Sequence, residues 1–457
     1  MVNSDHRVLV IGLDSLSPEM MIKMREQFAT YRLFRKFGLI GVLESTMPPM
    51  TIPAWASMVT GMTPAELELW GFRNRLTNSF FTYDFASSRN IAGKALWDTN
   101  NIKSVVFGLP PTYPPYKING VMVSGLMTPT VGGNAVCYVS PCSLKPRLDS
   151  IGDYIPDVDP RKDYDKIFEE LTYMTEVHFE MFRYLLEDTD WQYAHIVEIG
   201  LDRLHHIFWR FFDEHHWAYD ENNSYKDVFK HYYRLLDMEI KKTSMLVNVK
   251  EDYIIVVSDH GIQGSCGGVA LNRMLMDNGY LKLKVKTKAS ELTDLHIDRE
   301  TTAWAYGGLY GRVFVNLKGR ERNGTVEPSK YEDMINELTD FLLSINDGTY
   351  RWPNEVYTPF LDNGMVGNHP DIIVMFDDMR RRVFAGMQFD GYFPRERVMI
   401  KDDANHSKYG VFMIRGPGMR NMTGAPIVRA TDFKRIILDL LLNNRINIEG
   451  VVGIENA

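Results

Sequence analysis

Three apolar runs, each closed by an aspartate, constrain this chain more than any other feature. They are Arg7-Val-Leu-Val-Ile-Gly-Leu-Asp14, Tyr193-Ala-His-Ile-Val-Glu-Ile-Gly-Leu-Asp202 and Tyr253-Ile-Ile-Val-Val-Ser-Asp259-His260. Short runs dominated by Val, Ile and Leu read as strands buried on both faces. Ligands of open α/β sheets bind just beyond the carboxyl ends of such strands. Three carboxylates delivered there, far apart in sequence, can converge on one point, which suits a metal site better than a packing role.

The spaces between the runs carry helical and strand patterns in alternation. Helices are predicted over 18–37, from Pro53 to Gly61, and over 163–186, 225–247, 329–344 and 430–442. Further strands are predicted over 39–44, 104–107, 121–123, 312–316, 371–376 and 411–414. Strand–helix alternation favours a mostly parallel sheet with helices on both faces. Two less regular stretches, about 126–160 and 262–370, lie between the candidate site residues and read as an inserted lid or cap.

With 457 residues and 24% charged residues the chain is an ordinary globular protein, and its formal net charge of -8 argues against nucleic-acid polymers as partners. No stretch approaches the length of a membrane span, and no signal peptide is apparent at the N-terminus. The three cysteines, Cys137, Cys142 and Cys266, form no C-x-x-C pair, so a reducing, cytoplasmic location is the expectation.

On a helix, Asp202 and His206 are four residues apart and share one face, as a carboxylate and an imidazole binding one cation would. His205, at three residues, competes for that role, and a helix-capping Asp with an unrelated His is the plain alternative. Asp259-His260 ends its strand before Gly261, where both side chains can face one site, or where Asp-His-Gly is simply a turn. His406 stands in a loop before 411–414. Thr51 follows Pro48-Pro49-Met50 at a helix N-terminus, where it is either an N-cap or a hydroxyl nucleophile activated by a metal. Arg380-Arg381-Arg382 reads as a solvated charge cluster.

Taken in order, these pieces resemble the alkaline phosphatase superfamily, and within it the type I phosphodiesterase/nucleotide pyrophosphatase branch. They are Val-Ile-Gly-Leu-Asp14, Met-Pro-Pro-Met-Thr51-Ile-Pro-Ala-Trp, Asp202-Arg-Leu-His-His206, Ser-Asp259-His260-Gly and His406 ahead of Gly-Val-Phe-Met-Ile-Arg-Gly-Pro-Gly418. Gly71-Phe-Arg-Asn-Arg75 and Pro111-Thr-Tyr-Pro-Pro115 are similar to segments of prokaryotic members.

The resemblance implies a three-layer α/β/α sandwich over 1–457 with the inserted cap. It implies two divalent metal ions, zinc first, with manganese or iron as alternatives. One ion would be held by Asp202, His206 and His406, the other by Asp14, Asp259 and His260 with the Thr51 oxygen beside it. The implied activity is hydrolysis of small phosphodiester or pyrophosphate bonds, as in a nucleotide or nucleotide-sugar, through a phospho-threonine intermediate. Ile52-Pro53-Ala54 follows the nucleophile where characterised nucleotide pyrophosphatases carry Phe-Pro-Asn. Asn90, Arg73 and Arg75 are the candidates for substrate binding. A phosphomonoesterase or phosphomutase is the alternative enzyme reading and would need an extra cation, from Arg73, Arg75, Arg89 or Lys94. A non-catalytic binding module is the remaining one. A sulfatase is excluded, because Thr51-Ile-Pro53-Ala-Trp55 offers no Cys or Ser for conversion to formylglycine.

Overall fold

The strand Val8–Leu13 sits near the middle of a nine-stranded sheet whose order is Ile427–Arg429, Leu39–Glu44, Tyr409–Arg415, Tyr253–Val257, Val8–Leu13, Tyr193–Glu198, Ser104–Phe107, Gly120–Val123 and Val139–Ser140. The structure, a computed structural model, describes residues 6–76, 79–131, 134–359, 368–395, 401–419, 422–443 and 452–453. The five strands from Tyr253–Val257 to Gly120–Val123 run parallel. Only Tyr409–Arg415 and Val139–Ser140 run against the rest.

Side chains alternate across the sheet, so each apolar run feeds two cores. Leu9, Ile11 and Leu13 pack with Phe179 of the helix Tyr164–Asp188 and Leu236 of the helix Val228–Ser244. Val8 and Val10 pack on the other face with Trp55 of the helix Thr51–Thr60 and Ile437 of the helix Phe433–Asn443. This is the three-layer α/β/α arrangement expected from the sequence. The helix expected over 18–37 is instead two, Pro18–Lys23 and Ala29–Phe37, separated where Phe28 turns fully into the core.

A second sheet stands above the carboxyl ends of the first. Its four antiparallel strands are ordered Ala303–Tyr306, Gly311–Val315, Ile372–Met375 and Glu355–Tyr357. With the helix Tyr331–Ser344 they enclose a separate core containing Trp304, Phe314 and Leu338. The hairpin Arg73–Arg75/Tyr83–Phe85 joins this layer, because Phe80 and Phe81 pack against that core. Residues 360–367, within the stretch expected as cap, lie outside the described residues. The other irregular stretch, 126–160, supplies the edge strand Val139–Ser140 and buries Tyr138, Leu148 and Tyr154 in the main core. Its far end, at Asp157 and Val158, reaches the cavity between the two layers.

Candidate active site

Tyr253–Val257, Val8–Leu13 and Tyr193–Glu198 are adjacent strands in level register, with Gly12 opposite both Val197 and Val257. Asp14, Asp259 and the helix Gly200–Phe208 bearing Asp202 therefore emerge at one end of the sheet. Gly12 matters for its size, since a Cβ there would lie 2.5 Å from the Trp55 ring. Its absence lets the helix Thr51–Thr60 come down onto the strand, so that Trp55 Nε1 donates to Asp14 Oδ2 at 2.8 Å.

Two groups of three potential ligands result: Asp202 with His206 and His406, and Asp14 with Asp259 and His260. His206 Nε2 lies 3.3 Å and His406 Nε2 3.6 Å from Asp202 Oδ1. His260 Nε2 lies 3.4 Å from Asp14 Oδ1 and 3.1 Å from Asp259 Oδ2. The groups adjoin, with the rings of His260 and His406 stacked at 3.6 Å. His406 arrives on the strand Ala404–Ser407, which pairs with Gly261–Gly264 directly after His260. Gly261 has no room for a side chain, since a Cβ would meet the Tyr409 carbonyl at 2.3 Å. Thr51, buried at the first position of its helix, places Oγ1 3.2 Å from His260 Nε2.

The donor and acceptor pattern shows what the pocket lacks. One oxygen of each carboxylate takes a protein donor: Trp55 on Asp14, the Ser15 amide on Asp259 at 3.5 Å, and Arg203 on Asp202 at 3.0 Å. The inner oxygens, Asp14 Oδ1, Asp202 Oδ1 and Asp259 Oδ2, are buried with no hydrogen-bond partner. Each histidine has its Nδ1 against an acceptor that carries no proton: Asp402 for His206 at 2.7 Å, the Pro49 carbonyl for His406 at 2.9 Å and the Gly261 carbonyl for His260 at 3.0 Å. Each Nδ1–H donates outward, which aims the Nε2 lone pair inward. His206 Nε2 and His406 Nε2 face each other at 3.1 Å.

Buried acceptors facing acceptors call for a cation, and the N/O set of two His and one Asp, or one His and two Asp, fits a catalytic zinc or a similar divalent ion. The proton affinities agree. Burial, then the neighbouring carboxylates, raise Asp14 and Asp259 well above the usual range. Burial depresses His260 to about 4, and burial with His260 holds His406 well down. At His206 burial works against the charged ring, but Asp202 and Asp402 outweigh it and push the group up to about 9. Without a metal, protons take up part of the surplus negative charge.

The structure thus brings Asp14, Thr51, Asp202, His206, Asp259, His260 and His406 together. His205 turns away, its ring held between Ser15 Oγ at 2.8 Å and the Tyr233 hydroxyl at 3.0 Å. Of the substrate-binding candidates, Arg73 lines the cavity with its guanidinium 4.5 Å over Tyr83. Arg75 is buried in an ion pair with Glu321 at 2.9 Å, because the hairpin directs it into the second core. Asn90 caps its own turn, accepting from the Ser87 amide at 3.0 Å, and lies outside the cavity lining. Arg380-Arg381-Arg382 is not a solvated cluster: Arg381 is buried against Asp347 at 2.9 Å, and Arg382 grips Asp402. Asp402, which fixes the His206 ring, carried no sequence signal, since it lies 196 residues away.

A three-layer fold carrying two adjoining His/Asp clusters beside a helix-terminal threonine defines an alkaline phosphatase-like phosphohydrolase. The chain belongs to the type I phosphodiesterase / nucleotide pyrophosphatase family, whose model matches residues 8–378. Among solved structures it is similar to phosphonoacetate hydrolase from Sinorhizobium meliloti 1021 in complex with phosphonoformate, with a TM-score of 0.60 and 13% identity over 96% of this chain and 98% of that one. It is also similar to human ectonucleotide pyrophosphatase / phosphodiesterase 5, with a TM-score of 0.52 and 13% identity over 95% of each chain. An inactive murine form of that protein in complex with AMP gives a TM-score of 0.53 and 13% identity over 98% of this chain and 97% of that one. No curated protein sequence shows a significant match. No described helix is long and apolar enough to cross a membrane.

Proposed function

We propose that this chain hydrolyses small phosphodiester or pyrophosphate bonds, with Thr51 as nucleophile and two divalent ions as cofactors. The observation that carries the reading is the set of three buried carboxylate oxygens without donors, met by three inward imidazole nitrogens, next to a threonine hydroxyl at a helix N-terminus. Asp202, His206 and His406 would hold one ion, and Asp14, Asp259 and His260 the other. When bound, such a pair lowers the pKa of a coordinated hydroxyl and offsets charge on the attacking and leaving oxygens.

The residues of the chain do the rest. Thr51 Oγ1 forms a bond to phosphorus as the bond to the leaving oxygen breaks, that oxygen departs with the electron pair, and the proton given up by the hydroxyl ends, by way of water, on the leaving group. The resulting phospho-threonine is cleaved by water, which restores the hydroxyl and releases the phosphate product. The N–H groups of Thr51 and Ile52, at the first two positions of their helix, have no intrahelical partners. They would donate hydrogen bonds to the phosphoryl oxygens. Trp55 keeps Asp14 oriented, and Arg203, clamped by Asp157 at 2.6 and 2.9 Å, keeps Asp202 oriented.

The cavity of ≈ 960 Å³ is of a size that suits a small phosphorylated substrate. Neighbours of the same fold bind AMP and phosphonoformate, which supports small phosphorus oxyanions as the substrate class. The three cysteines are unpaired, in keeping with a reducing cytoplasm. The test compares aryl phosphodiester and phosphomonoester turnover with added zinc or manganese. Faster diester cleavage supports the reading. Exclusive monoester cleavage replaces it with the phosphomonoesterase alternative, and no cleavage with either metal leaves a binding module.

A further inference from the structure

Arg75, Arg312 and Arg381 are each at least nine-tenths buried as whole residues, and the Arg320 side chain, 8% exposed, is paired with Asp371 at 2.6 Å. Arg75 is neutralised by Glu321 at 2.9 Å and Arg381 by Asp347 at 2.9 Å. Arg312, 9% exposed, forms no ion pair with any described carboxylate. Its Nη1 donates to the Arg73 carbonyl at 2.6 Å, and its Nε is buried with no partner. The guanidinium lies 5.2 Å from the Tyr306 ring centre and 5.8 Å from that of Tyr310. Ring faces offset part of the cost of burying a cation, but a charge withdrawn from water without a counter-ion stays unfavourable.

The location gives that charge a use. Arg312 lies on the strand Gly311–Val315 of the upper sheet and lines the same cavity as Thr51, Asp202, His206 and His406. Tyr310 shares an apolar cluster with Met50, the residue before Thr51. Arg73 lines the cavity too, but it is half exposed and already faces Glu291 at 3.4 Å. A guanidinium suits planar anionic oxygens and is never deprotonated.

We infer that Arg312 receives a second anionic group, a carboxylate or a phosphate, carried by the substrate on the part remote from the attacked phosphorus. The inference rests on the reading of Thr51 and the two clusters as the hydrolytic centre, and it narrows the substrates to phosphorus esters with two separate anionic centres. The upper sheet reads the second anion, and the lower sheet carries out the chemistry.

The experiment uses the full metal-loaded chain and p-nitrophenyl phosphodiesters whose second arm ends in methyl, carboxylate or phosphate. Arg312→Met removes a lone buried charge and keeps an unbranched side chain in its place, and Arg312→Lys keeps the charge. The Met variant is expected to lose about 10- to 100-fold in kcat/KM on an anionic arm, stay within about twofold of wild type on the methyl arm, and be partly rescued by Lys. The arm with the larger loss identifies carboxylate or phosphate as the recognised group. Equal loss on all three arms, or on none, overturns the inference. If wild type cleaves no ester, the proposed function fails by itself, and Arg312 is judged by calorimetry of inorganic phosphate and of acetate with the metal-free full chain. An affinity at least about tenfold weaker in the Met variant keeps the anion site; equal affinity, or no binding by wild type, removes it.

Discussion

Asp402→Asn is the most informative single change, because it tests the His206 cluster without touching a proposed ligand. The Asp402 carboxylate takes His206 Nδ1–H at 2.7 Å and is gripped by Arg382. The next residue, Asp403, donates its amide to the His206 carbonyl at 2.6 Å and binds Arg210 at 2.8 and 3.0 Å. The two aspartates therefore latch the segment leading to His406 onto the helix that bears Asp202 and His206. Asparagine keeps an acceptor for the imidazole but loses the charge that makes His206 a better donor to a cation, and it leaves Arg382 unneutralised beside the ring. Losing such a partner costs about 10- to 100-fold in metal affinity. Asn retains the hydrogen bond and belongs at about tenfold, or ~1.4 kcal/mol, whereas Asp402→Ala belongs near 100-fold, or ~2.7 kcal/mol. The assay is competition with a chromophoric chelator, counting ions per chain. One of two ions should weaken while the other, at Asp14, Asp259 and His260, stays within about twofold. Unchanged affinity in both variants, or equal loss of both ions, would refute the assignment of the latch.

Four further outcomes are expected. His406→Ala should empty one ion position and spare the other, read by metal analysis after dialysis; full occupancy of both would contradict the ligand set. Thr51→Ala should abolish turnover and leave metal content and folding intact, since losing one buried hydroxyl costs about 1 kcal/mol; near-wild-type turnover removes the covalent route. Gly12→Ala should push Trp55 off Asp14 and destabilise the protein by about 1–3 kcal/mol, measured by denaturant titration. Asp14 and Asp259 are raised well above the usual range and His206 reaches about 9 without metal, so protons compete with the ions: affinity should fall as pH falls, and loading near neutral pH should release protons, as calorimetry in buffers of different ionisation heat would show. A pH-independent affinity would contradict this.

The readable parts of the site were those set by short-range geometry. The Asp202–His206 spacing follows from the helical period, and Asp14 and Asp259 follow from the ends of two-faced strands. Choosing His206 over His205 required packing: both are buried, and only contacts with Ser15 and Tyr233 turn His205 aside. Arg73 and Arg75 looked equivalent in sequence, and as i and i+2 of one short strand they share a face; only tertiary neighbours separate them, with Glu321 and Phe314 enclosing Arg75 and the cavity left to Arg73.

The linear chain by itself indicated the fold class and the places of Asp14, Asp202 and Asp259 at or just beyond strand ends, because periodicity and strand termini are local properties, while Thr51, His206, His260 and His406 joined them through the resemblance to a family. Tertiary structure alone decided what surrounds those residues: Asp402 behind His206, Trp55 on Asp14, and Arg312 uncompensated in the roof of the cavity. Those relations join positions up to hundreds of residues apart. They depend on where independent elements come to rest against one another, and no local pattern encodes that.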